Sequence, residues 1–251
     1  MKIALIAVTD SSLETARLLA LSFPGAQVFR PEKGELKTLT AEIFHSYDGL
    51  VFIMAMGIVI RMIAPHLTDK YRDPAVVTVD DARRFAVSTL SGHEGGANDL
   101  TWKVAAALDA LPVVTTASDT NRKVILGIGC RRGIRPEAVA EAVRRILDRN
   151  GLTAGDIRCA ATVDIKRAET GLIRALEDLG IPLFFIPADR IRESGLKGLT
   201  PSRAAMKHLK LTGVSEPCAI LAGKDARLIQ KRTVYQGVTA ALAEEHLTPE
   251  A

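Results

Sequence analysis

Ser91-Gly92-His93-Glu94-Gly95-Gly96-Ala97-Asn98 places an imidazole, which titrates near neutrality, among glycines that let backbone N–H groups approach a ligand. Such a run can move a proton at His93 or Glu94 and hold an anion on Gly92, Gly95, Gly96, Ser91 and Asn98. A glycine-rich turn with a solvent-facing histidine explains the spacing equally well. Thr115-Thr116-Ala117-Ser118-Asp119 closes the next strand. In a parallel sheet its hydroxyls lie on the edge that carries His93, where Asp119 could orient an imidazole or a water; a hydroxyl-rich linker with Asp119 as a turn former is the alternative. Met56-Gly57-Ile58-Val59-Ile60-Arg61 joins a strand to a helix. Arg61 could grip a carboxylate bidentately, although local spacing favours a buried helix with one snorkelling arginine.

Gly127-Ile128-Gly129-Cys130-Arg131-Arg132-Gly133 has the layout of an anion-binding loop: strand, glycines, two guanidinium groups, then a helix. It lacks both GxGxxG and GK[ST] spacing, so a nucleotide or sugar-phosphate site is not supported. Cys130 next to positive charge is a thiolate candidate, but a small packed residue is the better local reading. Ser202 follows later in the chain. Glu169 and Glu216 sit at helix starts, where the helix dipole is reason enough for an acid.

The elements around these junctions alternate. Strands are expected at Ile3 to Val8, Ala26 to Phe29, Leu50 to Met54, Ala75 to Val79, Phe85 to Leu90 and Pro112 to Thr115. Helical faces lie between them, the first opened by a capping box at Ser11-Ser12-Leu13-Glu14. The runs 75–79 and 85–90 read as a hairpin. A second series follows: strands at Val124 to Ile128, Ala160 to Ile165 and Leu183 to Ile186, then a strand pair near Leu228 and Val238. This rhythm implies an α/β protein of two three-layer domains with mainly parallel sheets, 1–120 and 121–251, and a ligand cleft between them. Neither domain shows low complexity or an internal repeat.

Composition narrows the classes. The chain has 251 residues, 47% hydrophobic and 25% charged, the globular norm. No run reaches the ~18 apolar residues of a membrane span, and the N-terminus reads as a strand rather than a signal peptide. Three cysteines without a CxxC pair argue against a disulfide framework or zinc site and fit a cytoplasmic protein. A net charge of +4 with 4% aromatics is too mild for nucleic acid and suits a small polyanion.

Taken in order, Gly57-Ile58-Val59-Ile60-Arg61, Ala64-Pro65, Lys70, Asp73-Pro74-Ala75-Val76-Val77, Ser91-Gly92-His93, Gly95-Gly96-Ala97-Asn98 and Thr115-Thr116-Ala117-Ser118-Asp119 resemble the cobalt-precorrin-5A hydrolase (CbiG) family of anaerobic cobalamin biosynthesis. The second half continues the resemblance with Gly127 to Gly133, Lys166, Glu169, Gly171-Leu172, Ser202, Gly213-Val214, Glu216 and Ala219, and is similar to the CobE type. Only Thr120 to Leu126 separate the halves, so the chain looks like a compact form without the family's usual middle segment. The turn Asp81-Ala82-Arg83-Arg84 also departs from the family, which often has a glycine there.

The resemblance implies a hydrolase acting on a carbon–carbon bond. It would open the ring-A δ-lactone of cobalt-precorrin-5A with water and release acetaldehyde, giving cobalt-precorrin-5B. It implies no cofactor and no protein metal site, since cobalt travels in the tetrapyrrole substrate. His93 would be the acid or base, helped by Asp119 or Glu94, with Glu216 as second-choice carboxylate and the N–H groups of Gly95 and Gly96 as oxyanion donors. Gly57, Arg61, Ser91, Gly92, Asn98, Thr115, Thr116, Ser118, Gly129, Cys130, Arg131, Arg132, Glu169 and Ser202 would contact the macrocycle. A homodimer and transient contact with neighbouring pathway enzymes are compatible with this role. A non-catalytic corrinoid binder or carrier of the same pathway is the alternative.

Overall fold

The computed structural model describes residues 1–246, apart from the side chains of Ser118 and Thr120. The chain forms two compact units, Met1–Asp119 and a second beginning at Thr120. In the first, β1 (Ile3–Ala7), α1 (Asp10–Ser22), β2 (Gln27–Phe29), α2 (Leu36–Ile43), β3 (Gly49–Ile53) and α3 (Met56–Ile63) come first. They are followed by β4 (Ala75–Val79), β5 (Phe85–Leu90), α4 (Ala97–Leu108), β6 (Leu111–Val113) and the short α5 (Ala117–Thr120). The six strands run in the order β2-β1-β3-β4-β5-β6. Every residue of β1, β3 and β4 is buried, because helices cover both faces of the sheet. Ala16 and Leu19 of α1 with Leu100 and Val104 of α4 pack on Leu5, Val51 and Val77. Ile43 of α2 with Val59 and Ile63 of α3 pack on Ile6, Leu50 and Phe52 opposite.

The capping box of α1 is Thr9 and Ser12, two residues earlier than the spacing of Ser11 and Glu14 implies. The Ser12 N–H donates to the Thr9 hydroxyl at 3.0 Å, and the Thr9 N–H donates to the Ser12 hydroxyl at 2.8 Å. All strand pairs of this sheet are parallel except β4–β5, the hairpin. Its turn has no glycine, yet Arg83 takes φ 58°. The Asp80 carboxylate accepts from the N–H groups of Arg84 at 2.7 Å and Phe85 at 2.8 Å, and Arg83 Nε donates to the Thr15 hydroxyl at 2.9 Å. Those bonds hold an arginine where a glycine costs least.

The second unit runs β7 (Val124–Cys130), α6 (Pro136–Arg149), β8 (Ile157–Val163), α7 (Thr170–Asp178), β9 (Leu183–Ile186) and α8 (Ala188–Glu193). Then come α9 (Arg203–Leu209), α10 (Ser215–Leu221), β10 (Arg227–Tyr235) and β11 (Val238–Glu244). The sheet order is β10-β11-β7-β8-β9, parallel through β7, β8 and β9 and antiparallel where the β10–β11 hairpin adds on. α6 and α7 bury Val139, Val143, Ile146, Leu172 and Leu176 against Leu126, Ile128 and Leu242. α10 takes the other face. The edge strand β10 carries Arg227 and Lys231, and its pairing with β11 is interrupted by two register shifts. Among the described residues no helix is long and apolar enough to cross a membrane.

α10 lies so close to β7 that a Cβ at Gly127 would sit 1.8 Å from the Ser215 carbonyl oxygen and 2.7 Å from the Ala219 nitrogen. Both are backbone atoms and cannot swing away. Gly127→Ala is therefore expected to destabilise the protein by about 3 kcal/mol, whereas Gly155→Ala, whose Cβ meets nothing closer than Thr153 Oγ1 at 3.5 Å, should stay within about 0.5 kcal/mol. Urea unfolding of both variants checks this; equal midpoints would refute the packing argument.

Candidate functional site

The β4–β5 hairpin decides which loops of the first unit meet. Val76 pairs with Leu90 and Val79 with Ala86, so β5 runs against β1, β3 and β4, and β6 runs with β5. The carboxyl ends of β5 and β6 therefore share one edge, and His93 and Thr115–Thr116 leave the sheet there. Gly57 and Arg61 follow the carboxyl end of β3, which is the opposite edge. The structure does not bring Arg61 to His93. Its guanidinium folds back along its own helix and donates to the Gly57 carbonyl at 3.0 Å.

Around His93 the loop is drawn tight. Asn98 spends both ends of its amide: Oδ1 accepts from the Ser88 hydroxyl at 2.8 Å and Nδ2 donates to Thr116 Oγ1 at 2.8 Å. It ties the start of α4 to β5 and to the segment that follows β6, rather than facing a ligand. A Cβ at Gly92 would fall 2.7 Å from both Asn98 Oδ1 and Thr116 Cγ2, so only glycine fits beside that tether. The N–H groups of Gly95 and Ala97 both donate to the Ser91 carbonyl, at 3.1 Å each. This corrects the oxyanion assignment at Gly95, whose donor is used inside the loop. The N–H of Gly96, at φ 82°, has no acceptor among the described residues. Ser91 itself has φ 56°, and its hydroxyl is buried with no hydrogen-bond partner among the described residues. His93 and Thr115 are exposed, Glu94 pairs with Lys70 at 3.8 Å, and the Asp119 N–H donates to the Thr116 carbonyl at 3.0 Å. The side chain of Ser118 lies outside the described residues.

In the second unit the loop after β7 presents Arg131 and Arg132, both exposed. Glu169 fixes its shape. The carboxylate accepts from the N–H groups of Gly133 at 2.8 Å and Ile134 at 3.2 Å, and pairs with Lys166 Nζ at 3.3 Å. Glu169 is thus a buried brace for the arginine loop, not a substrate contact. Gly171 completes the brace, because a Cβ there would lie 1.9 Å from the Ile134 carbonyl oxygen. Gly129 is a strand residue of β7 beside Val214 and Thr239, whose hydroxyl donates to its carbonyl at 3.2 Å, so it cradles side chains and no anion. Cys130 is half-buried; burial pushes its thiol up to about 11, against the pull of the Lys166 ammonium and with Glu169 adding to the rise.

Two further assignments change. Ser202 caps α9, its hydroxyl accepting from the Ala205 N–H at 3.3 Å. Glu216 is only 2% exposed. It accepts from the Thr200 N–H at 2.6 Å, the Thr200 hydroxyl at 2.8 Å and the Arg232 N–H at 2.8 Å. Burial raises its pKa, but these donors outweigh burial and leave it below the usual carboxylate range. It is a structural anion, with three of its roughly four acceptor positions taken by these donors. The sequence spacing runs β8 from Ala160 to Ile165. The strand ends at Val163, and Asp164–Lys166 is a single 3-10 turn at the same edge as Arg131. A separate groove of about 510 Å³ around α6 carries both signs of charge, on Glu137, Glu141, Arg144 and Asp178, and includes none of the residues flagged above. Among the described residues no group of three or more His, Cys, Asp or Glu is placed to hold a metal ion.

Comparison with known proteins follows this division. Residues 38–119 match the family model "Cobalamin synthesis G N-terminal", and residues 124–243 match "Cobalamin synthesis G C-terminus". A cobalt-precorrin-5A hydrolase of Priestia megaterium is 43% identical over 136 residues, which is 48% of this chain and 36% of that protein. The chain thus spans about a third of that relative's length. A probable cobalt-precorrin-5A hydrolase of Methanocaldococcus jannaschii is 25% identical over 286 aligned positions, covering 82% of this chain and 88% of that protein. That alignment is longer than this chain, so the relative carries residues with no counterpart here. Protein CobE of Sinorhizobium sp is 31% identical over 121 residues, 48% of this chain and 79% of that protein.

Two outcomes follow from the electrostatics. The Cys130 thiol should react with iodoacetamide at pH 8 at least ~100-fold more slowly than free cysteine, since only the thiolate is nucleophilic; labelling at the free rate would contradict its surroundings. Glu216, with a depressed folded pKa, stabilises the fold above its unfolded value and loses that stabilisation as pH falls through the folded one. Glu216→Gln should therefore be less stable than the parent at neutral pH, with the gap closing below about pH 4. A gap that stays constant down to acid pH would show that the charge is irrelevant.

Proposed function

The chain belongs to the CbiG family of cobalamin synthesis, and from that premise we propose that it is a cobalt-precorrin-5A hydrolase. Water adds to the ring-A δ-lactone of the macrocycle, and the methylated bridging carbon leaves as acetaldehyde to give cobalt-precorrin-5B. The ordered match to both the N-terminal and the C-terminal family models carries the reading. The chemistry needs a water aimed at the ester carbon, a donor for the developing oxyanion and a group that moves protons. In the first unit His93 is the exposed candidate for proton movement, with Glu94 on the same loop and Asp119 in α5 after the neighbouring strand, and the Gly96 N–H is the candidate donor. In the second unit Arg131 and Arg132 supply positive charge for the carboxylates on the rim of the ring. The cobalt belongs to the substrate, and we assign no cofactor to the protein.

A corrinoid binder without catalysis is the second reading, and the second unit matches Protein CobE without the first. Incubation with cobalt-precorrin-5A, followed by an acetaldehyde assay and mass measurement of the product, separates the two. Acetaldehyde in proportion to product supports the hydrolase; stoichiometric binding without acetaldehyde supports the binder. His93→Ala should lower acetaldehyde release about 100-fold or more while macrocycle affinity stays within about twofold. Full turnover by that variant would remove His93 from the mechanism.

A further inference from the structure

The loop after β7 is held at two places. Glu169 fixes its far side, at Gly133 and Ile134. Its near side is fixed by the turn between β10 and β11. Val238 pairs with Cys130, and the Arg131 N–H donates to the Gly237 carbonyl at 3.0 Å, so the ladder runs on to the tip of the hairpin. Tyr235 pairs with Val238, which leaves Gln236 and Gly237 as a two-residue connection with φ 45° and 85°. Two left-handed residues in such a connection match the right-handed twist of the strands they join.

The Arg131 side chain lies against the bare α-carbon of Gly237. A Cβ there would come 3.0 Å from Arg131 Cδ, 3.1 Å from Nε and 3.3 Å from Cγ. These are side-chain atoms that can swing, unlike the backbone atoms that face Gly127. A larger residue at 237 therefore moves the arginine and leaves the sheet standing. Arg131 as a whole is exposed, and among the described residues it makes no ion pair. The turn beneath it is anchored in its own right. Tyr235 packs on the core of this unit, and the Arg145 guanidinium of α6 lies over its ring at 4.2 Å, itself paired with Glu141 at 2.8 Å. A fixed surface under a flexible stem reduces the rotamer freedom that an exposed arginine must give up on binding.

We propose that Gly237 is a positioning residue for ligand binding: the β10–β11 turn gives Arg131 a bare ledge that sets its guanidinium in place before an anionic group of the ligand arrives. The ligand class is a macrocyclic polycarboxylate, so the inference rests on the tetrapyrrole reading above and names what prepares its arginine.

The test uses the full chain and uroporphyrin, an octacarboxylate macrocycle, with affinity measured by fluorescence titration at low salt in a double-mutant cycle. Gly237→Asn is the variant of choice, because asparagine tolerates a positive φ and still carries a Cβ. It is expected to weaken binding about fivefold, and Arg131→Ala about tenfold. In the Arg131→Ala background, Gly237→Asn should change affinity less than twofold, since there is no arginine left to displace. Gly151→Asn, at φ 66° with open space around it, carries a similar backbone strain and should bind as the parent does. An equal loss from Gly237→Asn with and without Arg131, or no loss in the parent, would overturn the positioning role while leaving the tetrapyrrole reading intact. Unchanged affinity in Arg131→Ala, or no saturable binding by the parent, would overturn both the ledge and the rim contact; the acetaldehyde assay decides the reaction independently of either.

Discussion

Carboxylates taken out of water and given to backbone N–H groups hold the irregular parts of this protein in place. Glu169 grips Gly133 and Ile134, Glu216 grips Thr200 and Arg232, and Glu245 grips Lys224 while facing Arg158 at 3.0 Å. In the first unit Asp73 holds Thr68 and Asp80 holds Arg84 and Phe85. Each burial costs desolvation, and each is offset by charge-assisted bonds that a loop cannot make to another neutral loop. The loops therefore keep one shape without forming strands or helices, and a loop of fixed shape can carry arginines at fixed places.

How much of this is legible in the chain depends on range. The alternation of buried runs and helical faces reads off directly, because β1 and β3 hold no polar side chain, β4 only Thr78, and α6 repeats Val139, Ala142, Val143 and Ile146 on one side. The 75–90 hairpin reads off too. What it does to the site does not, since reversing the sheet direction after β4 sends Arg61 and His93 to opposite edges. Glu169 and Glu216 stand at helix starts, and local physics accounts for them there. Their partners come from Gly133, 36 residues before one, and from Thr200, 16 residues before the other. No pattern within one helix contains such a bond.

The first unit shows a second kind of constraint. Gly92, Asn98 and Thr116 interlock, and Ser91 pays for the tight exit from β5 with a left-handed backbone and a hydroxyl left without a partner among the described residues. Strain of this sort persists only where the surrounding structure enforces it. Here the enforcement comes from the Asn98 amide, which joins β5, α4 and the segment after β6 in one knot beside the exposed imidazole of His93. Asn98 is thus better understood as the reason His93 has a fixed position than as a ligand contact.

The outermost strand of the second sheet bears on how copies of this chain behave together. A nine-residue border strand is a template on which another chain could lengthen the sheet. Two slips in its pairing with β11 break the flat, regular repeat that such growth needs. Arg227 and Lys231 would meet the same charges on an incoming twin. At high concentration, the protein is guarded against runaway stacking by the irregularity of its own border.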